Sequence, residues 1–314
     1  MGTPEFAVPT LSELITNGYN VTAVVTQPDK KRGRGKTVSF SPVKEVAISN
    51  SIEVLQPQSL KRNSKFFTEE DEKILIRLRE LSPDIIVVVA YGKILPKEVL
   101  DLPPLGCINV HASILPHYRG AAPINFAILN GDNKTGVTTM LMDEGMDTGD
   151  ILLVEELPIE DNDTTLTLGN KLSDVGGKLL IKTIEGLVSG EVNPTKQVDS
   201  DATYAKLFTK EDGLMDWSMT AKELNCFVRG MTPWPSAYTF IGGKKLKVLE
   251  TVLTEEKSDK ENGEIVSVDG SIDVVAGGSI LKITTLQAEG KKPMASADYL
   301  RGAKLNRGDK FTNE

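Results

Sequence analysis

The amino-acid sequence predicts an α/β protein in two parts. The first is a doubly wound, mostly parallel, Rossmann-like sheet domain, and the second is a small OB-like β-barrel domain. Strand-like and helix-like segments alternate over the first 180 residues, which is typical of an open α/β sheet. The branched run 85–90 is typical of a parallel strand that is covered on both faces. After residue 204, short β-rich segments separated by glycine turns predict the barrel.

The elements of the first part follow from apolar spacing and from residues that end helices. Gly18 follows a helical pattern over 6–17, and Pro83 follows another over 74–81; glycine and proline commonly mark such ends. In chain order we predict helix 6–17, strand 21–25, helix 43–50, strand 52–55, helix 74–81, strand 84–90, strand 107–111, helix 123–129, strand 137–142 and helix 165–187.

The composition changes after the last of these helices. Residues 188–202 are polar and contain Gly190 and Pro194, as in a linker. One helical pattern follows over 220–229, and the predicted barrel strands are 238–241, 246–254, 263–268, 272–276 and 280–287. The predicted organisation is therefore an α/β domain over 1–187, a linker over 188–203 and a C-terminal domain over 204–314.

Composition and charge exclude several classes of protein. The longest apolar run, 85–90, is far shorter than the roughly 20 residues that span a bilayer, and no signal peptide is visible at the start. Two cysteines and two histidines are too few for a disulfide framework or a cysteine- and histidine-based metal site. We therefore expect a cytoplasmic protein in a reducing setting, with no membrane segment and no metal.

Asn109 and His111 are the first candidate catalytic residues. They lie at the end of the strand 107–111, where alternate side chains share a face and stand about 7 Å apart at ~3.4 Å per residue. Ligands of open α/β sheets bind beyond the carboxyl ends of the strands. An amide can stabilise a developing oxyanion and an imidazole can move a proton near pH 7, which suits acyl transfer. For an arbitrary Asn-x-His pattern, a structural histidine is the more frequent interpretation.

The loop 143–150 carries four acidic residues and two glycines. A solvated loop is the usual interpretation, and the loop lacks the ligand spacing of a calcium-binding hand. The functional alternative is that one carboxylate orients the histidine. Spacing alone leaves Asp143, Asp147 and Asp150 as candidates.

Two basic segments could meet a polyanion although the net charge is −8. An exposed charge run is usually only a solvated loop, but local cations can also attract phosphates. The C-terminal segment is 291–310, with six cations and two acids. The N-terminal segment has five cations in seven residues: Lys30, Lys31, Arg32, Arg34 and Lys36.

Several of these segments together resemble the 10-formyltetrahydrofolate-dependent formyltransferases. The resemblance rests on residues 1–7, 89–92, 109–120 and 143–150, and it extends to 233–235 and 291–311. The loop 33–36, the segment Pro233-Trp234-Pro235 and the C-terminal part narrow it to the members that act on methionyl-tRNA. The resemblance covers nearly the whole chain.

The resemblance implies a reaction and a set of site residues. The formyl group of 10-formyltetrahydrofolate, the co-substrate, would pass to the α-amino group of methionine on initiator methionyl-tRNA, with no metal. The implied catalytic residues are Asn109, His111 and Asp147. The implied folate loop is Ser113, Ile114, Leu115 and Pro116, whereas His117 would be a surface residue. The implied tRNA-binding residues are Lys30, Lys31, Arg32, Arg34 and Lys36.

Two other functions remain open at this point. The chain could be another formyl-folate transferase that acts on a small amine such as an amino-sugar nucleotide, although the basic loop and the barrel would then lack a purpose. It could also bind tRNA without catalysis. For the lead function we expect a cytoplasmic monomer.

The start of the sequence departs from the family pattern. Members of the family have a short apolar strand before the turn Gly2-Thr3-Pro4, and here only Met1 precedes that turn. The first strand of the sheet is therefore expected to be missing from the domain 1–187. Because such a strand is central in a doubly wound sheet, we expect the 314-residue chain to be poorly soluble or inactive as written.

Overall fold

The computed structural model describes residues 1–32 and 37–313, which form two compact units. The first unit consists of Met1–Gly120, Thr135–Leu157 and Gly169–Tyr204. The second consists of Ala121–Lys134, Pro158–Leu168 and the chain from Ala205 onwards. The domain boundaries at residues 187 and 204 stay a prediction. The segment 188–203 is anchored to the first unit by an antiparallel bridge between Ile151 and Thr195.

Helices and strands alternate in the first 189 residues, close to the predicted positions. A 3₁₀ turn over Glu5–Ala7 precedes the first helix. The elements are α1 (Val8–Thr16), β1 (Ala23–Val25), β2 (Lys30–Arg32), β3 (Thr37–Ser39), α2 (Pro42–Ser49), β4 (Glu53–Leu55), α3 (Glu69–Glu80), β5 (Ile86–Val88), α4 (Lys97–Leu100), β6 (Cys107–His111), β7 (Arg119–Gly120), α5 (Pro123–Leu129), β8 (Lys134–Leu141), β9 (Ile151–Pro158) and α6 (Thr165–Ser189).

The strands of the first unit form parallel pairs and one mixed sheet. Strand β1 pairs in parallel with β4, and β5 pairs in parallel with β6. Strand β6 then pairs antiparallel with β8, and β9 lies beyond β8. Branched residues on β1 and β5 are almost fully buried, including Val24, Val25, Ile86 and Val88, as expected for strands covered on both faces.

Strand β6 lies in the middle of its sheet and is covered by α6. Gly176 of α6 approaches this strand so closely that an added Cβ would lie 2.8 Å from a methyl group of Val110. The hydroxyl groups of Thr139 on β8 and Thr183 on α6 lie 2.8 Å apart and hydrogen-bond to each other. These contacts fix the strand that carries Asn109 and His111. Among the helices in the described part of the chain, none has the length and apolar character needed to cross a membrane.

Helix α3 begins five residues earlier than predicted because the acidic segment before Ile74 caps it. Thr68 accepts a hydrogen bond from the backbone N–H of Asp71, and the Asp71 carboxylate accepts one from the N–H of Thr68. Acidic residues at the start of a helix also interact favourably with its dipole. The segment 68–73, which has no functional assignment, is therefore a helix start.

Met1 and Gly2 occupy one end of a gap between β1 and β5. The Gly2 N–H donates to the carbonyl oxygen of Val25 at 3.0 Å, and the Val89 N–H donates to that of Met1 at 2.9 Å. A cavity of about 860 Å³ extends from there along the amino ends of both strands, and α1 and α6 contribute to its wall. Met1 and Gly2 thus pair with the carboxyl ends of β1 and β5. Beyond them, the space between the two strands is occupied by the cavity.

The second unit contains an antiparallel sheet with the order β11-β12-β15-β14-β13, and β16 pairs with β15. Five of its strands were predicted, whereas β16 and α8 were not. From residue 204 on, the elements are β10 (Tyr204–Ala205), α7 (Ala221–Met231), β11 (Tyr238–Ile241), β12 (Lys244–Lys257), β13 (Ile265–Ser267), β14 (Ile272–Ala276), β15 (Ser279–Ala288), β16 (Met294–Ala295) and α8 (Ser296–Leu300).

The C-terminal segment joins the two edges of this sheet. Thr312 exchanges backbone hydrogen bonds with Phe240 of β11, and Asp309 accepts one from the N–H of Ile265 of β13. The ring of Phe311 stacks on Trp217 in the core, with ring centroids 5.3 Å apart. The sheet is a half-barrel whose two edges are bridged by this segment, in agreement with the small barrel that the spacing of the strands predicts.

Candidate active site

Asn109, His111 and Asp147 are brought together at the carboxyl end of β6. Asn109 lies opposite Val88 of the parallel strand β5. Its side-chain amide donates to Oδ1 of Asp147 at 3.3 Å. The other carboxylate oxygen, Oδ2, lies 3.7 Å from Nδ1 of His111. The strand alternation that predicts a shared face for Asn109 and His111 agrees with this geometry, and the catalytic roles of the three residues stay a prediction.

The imidazole of His111 is buried and has a fixed orientation. The residue is only 6% exposed, and its Nε2 lies 3.0 Å from the carbonyl oxygen of Tyr118. Since a carbonyl oxygen can only accept, Nε2 carries a proton and donates it to this bond. The other nitrogen, Nδ1, is therefore the atom that faces Asp147 and the site.

The structure distinguishes the three candidate carboxylates of the loop between β8 and β9. Asp143 folds the loop itself, because its Oδ1 accepts from the N–H of Gly145 at 2.9 Å and from the hydroxyl of Thr148 at 2.7 Å. Asp150 contributes its backbone carbonyl to the N–H of Leu141. The carboxylate beside Asn109 and His111 belongs to Asp147.

Asp147 is held in an unusual backbone conformation and by an external donor. Its φ of +55° lies in the left-handed region that residues with a side chain rarely adopt. The backbone N–H of Gly120 donates to its Oδ2 at 2.8 Å. The carboxylate is thus aimed by both its own loop and the segment that follows β6.

The loop 113–116 is folded against β8. The Thr138 hydroxyl donates to the carbonyl of Ser113 at 2.7 Å and accepts from the N–H of Leu115 at 3.1 Å. The Ser113 hydroxyl donates to the carbonyl of His117 at 2.6 Å. Ser113 and Leu115 are buried, whereas Ile114 and Pro116 remain partly exposed, and His117 is exposed. The surface position predicted for His117 agrees with this exposure.

The basic segment lies partly within the described residues. Lys30–Arg32 form β2, which pairs antiparallel with Thr37–Ser39 of β3. Arg34 and Lys36 lie outside the described residues. At the base of this hairpin, Lys44 contacts the carboxylate of Asp29 at 2.6 Å, and this hydrogen bond is the main cause that lowers the pKa of Asp29.

Cys107 lies near this site but is not suited to nucleophilic chemistry. Cys107 begins β6, but burial raises the pKa of its thiol to about 12, so it is not a thiolate nucleophile at neutral pH. No group of three or more histidine, cysteine or acidic side chains able to hold a metal ion occurs within residues 1–32 and 37–313.

Sequence reasoning missed three residues that shape the site. Tyr118 and Gly120 contact His111 and Asp147 through backbone atoms, which residue type does not reveal. Gln197 donates to the carbonyl of Asp147 at 2.9 Å, although the sequence predicts a linker there. Because 50 residues separate Gln197 from Asp147 in the sequence, no local sequence pattern indicates this contact.

The fold and the polar group at the strand end are typical of an α/β enzyme that transfers an acyl-type group. An amide, an imidazole and a carboxylate meet beyond a strand end, where open sheets bind their ligands. Comparison with known proteins is more specific. The family model described as Formyl transferase matches residues 1–184, and that of the formyl transferase C-terminal domain matches residues 207–304. The chain belongs to this formyl transferase family.

Named relatives cover nearly the whole chain. A methionyl-tRNA formyltransferase of Caldanaerobacter subterraneus subsp. tengcongensis is 49% identical over 98% of this chain and 97% of its own. One of Citrifermentans bemidjiense is 51% identical, over 98% and 94%. Among solved structures, an N-formyltransferase from Helicobacter canadensis in complex with folinic acid and dTDP-3-aminofucose has a TM-score of 0.65 at 20% identity, covering 91% of this chain and 97% of its own.

Proposed function

We propose that this chain transfers the formyl group of 10-formyltetrahydrofolate to the α-amino group of methionine on initiator methionyl-tRNA. The observation that carries the proposal is the Asn109–His111–Asp147 group in a chain about half identical to methionyl-tRNA formyltransferases along its whole length. The product, N-formylmethionyl-tRNA, serves translation initiation.

The residues around the site fit a folate co-substrate. We assign Ser113, Ile114, Leu115 and Pro116 to the loop that holds it. Ile114 and Pro116 offer a partly exposed apolar surface, while Ser113 and Leu115 are buried and keep the loop in shape. An apolar wall beside a few convergent polar groups is typical of sites for flat organic ligands. The folate supplies a formyl group that is ready for transfer to an amine.

The three polar side chains then act on the formyl group and on the amine. Asn109 Nδ2 and a protonated His111 Nδ1 donate hydrogen bonds to the formyl oxygen as negative charge develops there. The Asp147 carboxylate accepts the proton of the attacking amine, directly or through one water, and this proton passes to N10 of the folate as the bond between N10 and the formyl carbon breaks. Because Oδ2 of Asp147 is already held by the Gly120 N–H at 2.8 Å, the carboxylate keeps its place during transfer.

The basic segments are proposed to bind the tRNA backbone. In the N-terminal segment these residues are Lys30, Lys31, Arg32, Arg34 and Lys36, whose cations would replace counterions on phosphates. In the C-terminal unit, Lys291, Lys292, Lys304 and Arg307 are exposed, while Lys310 pairs with Glu261 at 2.7 Å. This distribution supports a local cationic surface on a chain of net charge −8.

The domain roles, assembly and location are part of the same proposal. Residues 1–187 form the catalytic domain, residues 188–203 link the two domains, and the barrel over 204–314 binds tRNA. We propose a cytoplasmic monomer, because charged initiator tRNA is a cytoplasmic substrate. Both cysteines are free, which is compatible with a reducing compartment.

A formylation assay tests the proposed function. The purified chain is incubated with 10-formyltetrahydrofolate and with initiator or elongator methionyl-tRNA, and formylmethionine is measured after hydrolysis of the tRNA ester. We expect rapid formylation of the initiator and little of the elongator. Transfer to an amino-sugar nucleotide but to neither tRNA would establish the alternative. Tight tRNA binding without any transfer would identify a binding protein and exclude the enzyme.

A further inference from the structure

Arg119 is a buried cation that the proposed chemistry does not use. The residue is 2% exposed, and its Nη2 contacts Oδ1 of Asp199 at 2.8 Å, although the Asp199 side chain is 84% exposed. Its Nε and Nη2 also donate to Oε1 of Gln197, at 3.0 and 2.8 Å. A buried guanidinium is costly unless it is hydrogen-bonded. The partners that hold Arg119 in place therefore call for an explanation.

Gln197 connects this cation to the loop that carries Asp147. Its Nε2 donates to the carbonyl oxygens of Asp147, at 2.9 Å, and Gly149, at 2.7 Å. The amide can stand in one orientation only, because Oε1 must face the Arg119 donors and the NH₂ group must face the two carbonyls. Both polar atoms of the Gln197 side chain are therefore used: Oε1 accepts from Arg119, and Nε2 donates to the loop.

The loop needs such support at this point. Asp147 has a φ of +55°, a conformation that persists only where surrounding structure enforces it. Gly149 packs so tightly that an added Cβ would lie within 1.7 Å of the carbonyl oxygen of Leu141. The two carbonyls that Gln197 binds flank this turn, so the bonds hold the backbone from which the Asp147 carboxylate projects.

The same short strand also holds the other end of Asp147. Gly120, which follows Arg119 in β7, donates its N–H to Oδ2. The Arg119 side chain thus restrains the backbone of Asp147 through Gln197, while the next residue restrains its carboxylate. Both oxygens of Asp147 are then in place, one toward Asn109 at 3.3 Å and one toward His111 at 3.7 Å.

We propose that Arg119 and Gln197 are positioning residues that set the Asp147 carboxylate relative to Asn109 and His111. The inference rests on the proposed function for its effect on rate. Neither side chain touches the reacting atoms. Their effect is expected in kcat, because a displacement of about 1 Å at a reacting group can cost up to about 100-fold in rate.

The test variant is Gln197→Met, which keeps the length of the side chain and removes all its hydrogen bonds. We expect kcat for formylation to fall 10- to 100-fold, with KM for tRNA changed less than twofold. In an Asp147→Asn background, Gln197→Met should cause no further loss, since the group it positions is already gone. Arg119→Lys, which keeps the charge but loses the forked donor, serves as a second variant if Gln197→Met fails to fold. Ser200→Ala, at an exposed neighbour, is the control.

A second readout does not depend on activity. The chain has two histidines, so the imidazole signal of His111 can be assigned in NMR spectra with a His117→Ala variant. We expect Gln197→Met to move the imidazole chemical shifts of His111, measured at one fixed pH, in the same direction as Asp147→Asn. Displacement by Asp147→Asn alone, or by neither variant, would overturn the positioning role. Equal losses of kcat in both backgrounds would overturn it as well. An unchanged chain that formylates no tRNA would refute the proposed function, while the chemical shifts of His111 would still decide the positioning role.

Discussion

Oδ2 of Asp147 lies 3.7 Å from Nδ1 of His111, so a carboxylate faces the one imidazole nitrogen that is not bonded to the backbone. The opposite nitrogen, Nε2, is committed to the carbonyl of Tyr118. This division leaves Nδ1 as the atom that can serve a substrate. We therefore expect the loss of His111 to lower the rate of the chemical step more than the loss of any other residue of the site.

Replacing His111 by alanine should abolish formyl transfer while leaving tRNA binding nearly unchanged. Losing a donor to the developing oxyanion costs about 10²–10³ in rate, and His111 is remote in sequence from both basic segments. Single-turnover rates and a filter-binding Kd measure the two properties separately. His117→Ala, at the exposed second histidine, is the matched control and should behave as the unchanged protein. A His111→Ala chain that retains a tenth of the rate would contradict the role.

Replacing Asn109 by alanine should lower kcat by about 10²–10³, the usual loss for one oxyanion donor. The side-chain amide is held by Oδ1 of Asp147 at 3.3 Å, so it is oriented before substrate arrives. Binding of a non-reactive folate, followed by fluorescence, should change little. If folate affinity and kcat fall together by the same factor, Asn109 is a binding residue and not an oxyanion donor.

Much of this fold could be predicted from local pattern, because the determinants are local. The bounds of β6, α5, β11 and β14 agree with the sequence prediction residue for residue. Helix α3 starts earlier than predicted because a capping box at Thr68 and Asp71 extends it beyond its apolar face. Strand β9 was not predicted because the charged and exposed Glu155 and Glu156 interrupt its pattern after the apolar run Ile151–Val154.

Only the part of the site that depends on strand geometry could be predicted from the sequence. Alternation along β6 indicates that Asn109 and His111 share a face, and no structure is needed for that. The choice of Asp147 over Asp143 depends on how the loop folds back through Thr148 and Gly145. The bonds from Gln197 cross 50 residues, and such contacts arise from tertiary packing alone.

Replacing Arg34 by alanine should weaken productive tRNA binding and leave folate binding unchanged. Removing one phosphate contact should reduce the dependence of log K on log salt by about 1. KM for tRNA measured from low to moderate salt checks this expectation. Lys73→Ala, at a 72% exposed side chain of α3 paired with Glu70, is a matched control of the same charge change. Identical salt slopes for the Arg34 variant and the unchanged protein would remove the loop from tRNA recognition.

The amino group of Met1 should make stability depend on pH. Burial lowers its pKa to about 6, below the ordinary α-amino pKa of 8.0 that describes the unfolded chain. Between these values the unfolded chain binds more protons than the folded one, so the free energy of unfolding should rise with pH from about 6 to 8 and be lost as pH falls. The expected change is about 2–3 kcal/mol. Urea denaturation at several pH values measures it, and an Nα-acetylated chain, which has no amine to titrate, should lack this component.

An apolar strand joined to the amino end of Met1 should stabilise the protein by filling the cavity of about 860 Å³ between β1 and β5. Gly2 and Met1 already pair with Val25 and Val89, so an added strand would continue an existing parallel register. Ala23 presents its N–H and C=O to the same side as Val25, which gives the strand an edge to pair with.

The expected gain in the free energy of unfolding is the difference between the apolar burial of the added strand and the cost in chain entropy of ordering it. Each fully buried side chain contributes roughly 1.5–3 kcal/mol, and ordering each residue costs about 1–2 kcal/mol. Four residues such as Ile-Val-Val-Ile should therefore add a few kcal/mol and raise the melting temperature by at least about 5 °C. Solubility and formylation activity should rise with it, since paired strand edges no longer invite aggregation.

The matched control is a Gly-Ser-Gly-Ser extension of the same length. It also converts the Met1 amine into an amide, so it removes the titrating charge, but it cannot fill an apolar cavity lined by Leu11, Leu78 and Ile184. The difference in melting temperature between the two extensions isolates the effect of filling the gap. Equal melting temperatures for both extensions, or a 314-residue chain that already melts cooperatively with full activity, would show that the gap is not a strand position. The close pairing of Met1 and Gly2 would then be sufficient to complete the sheet.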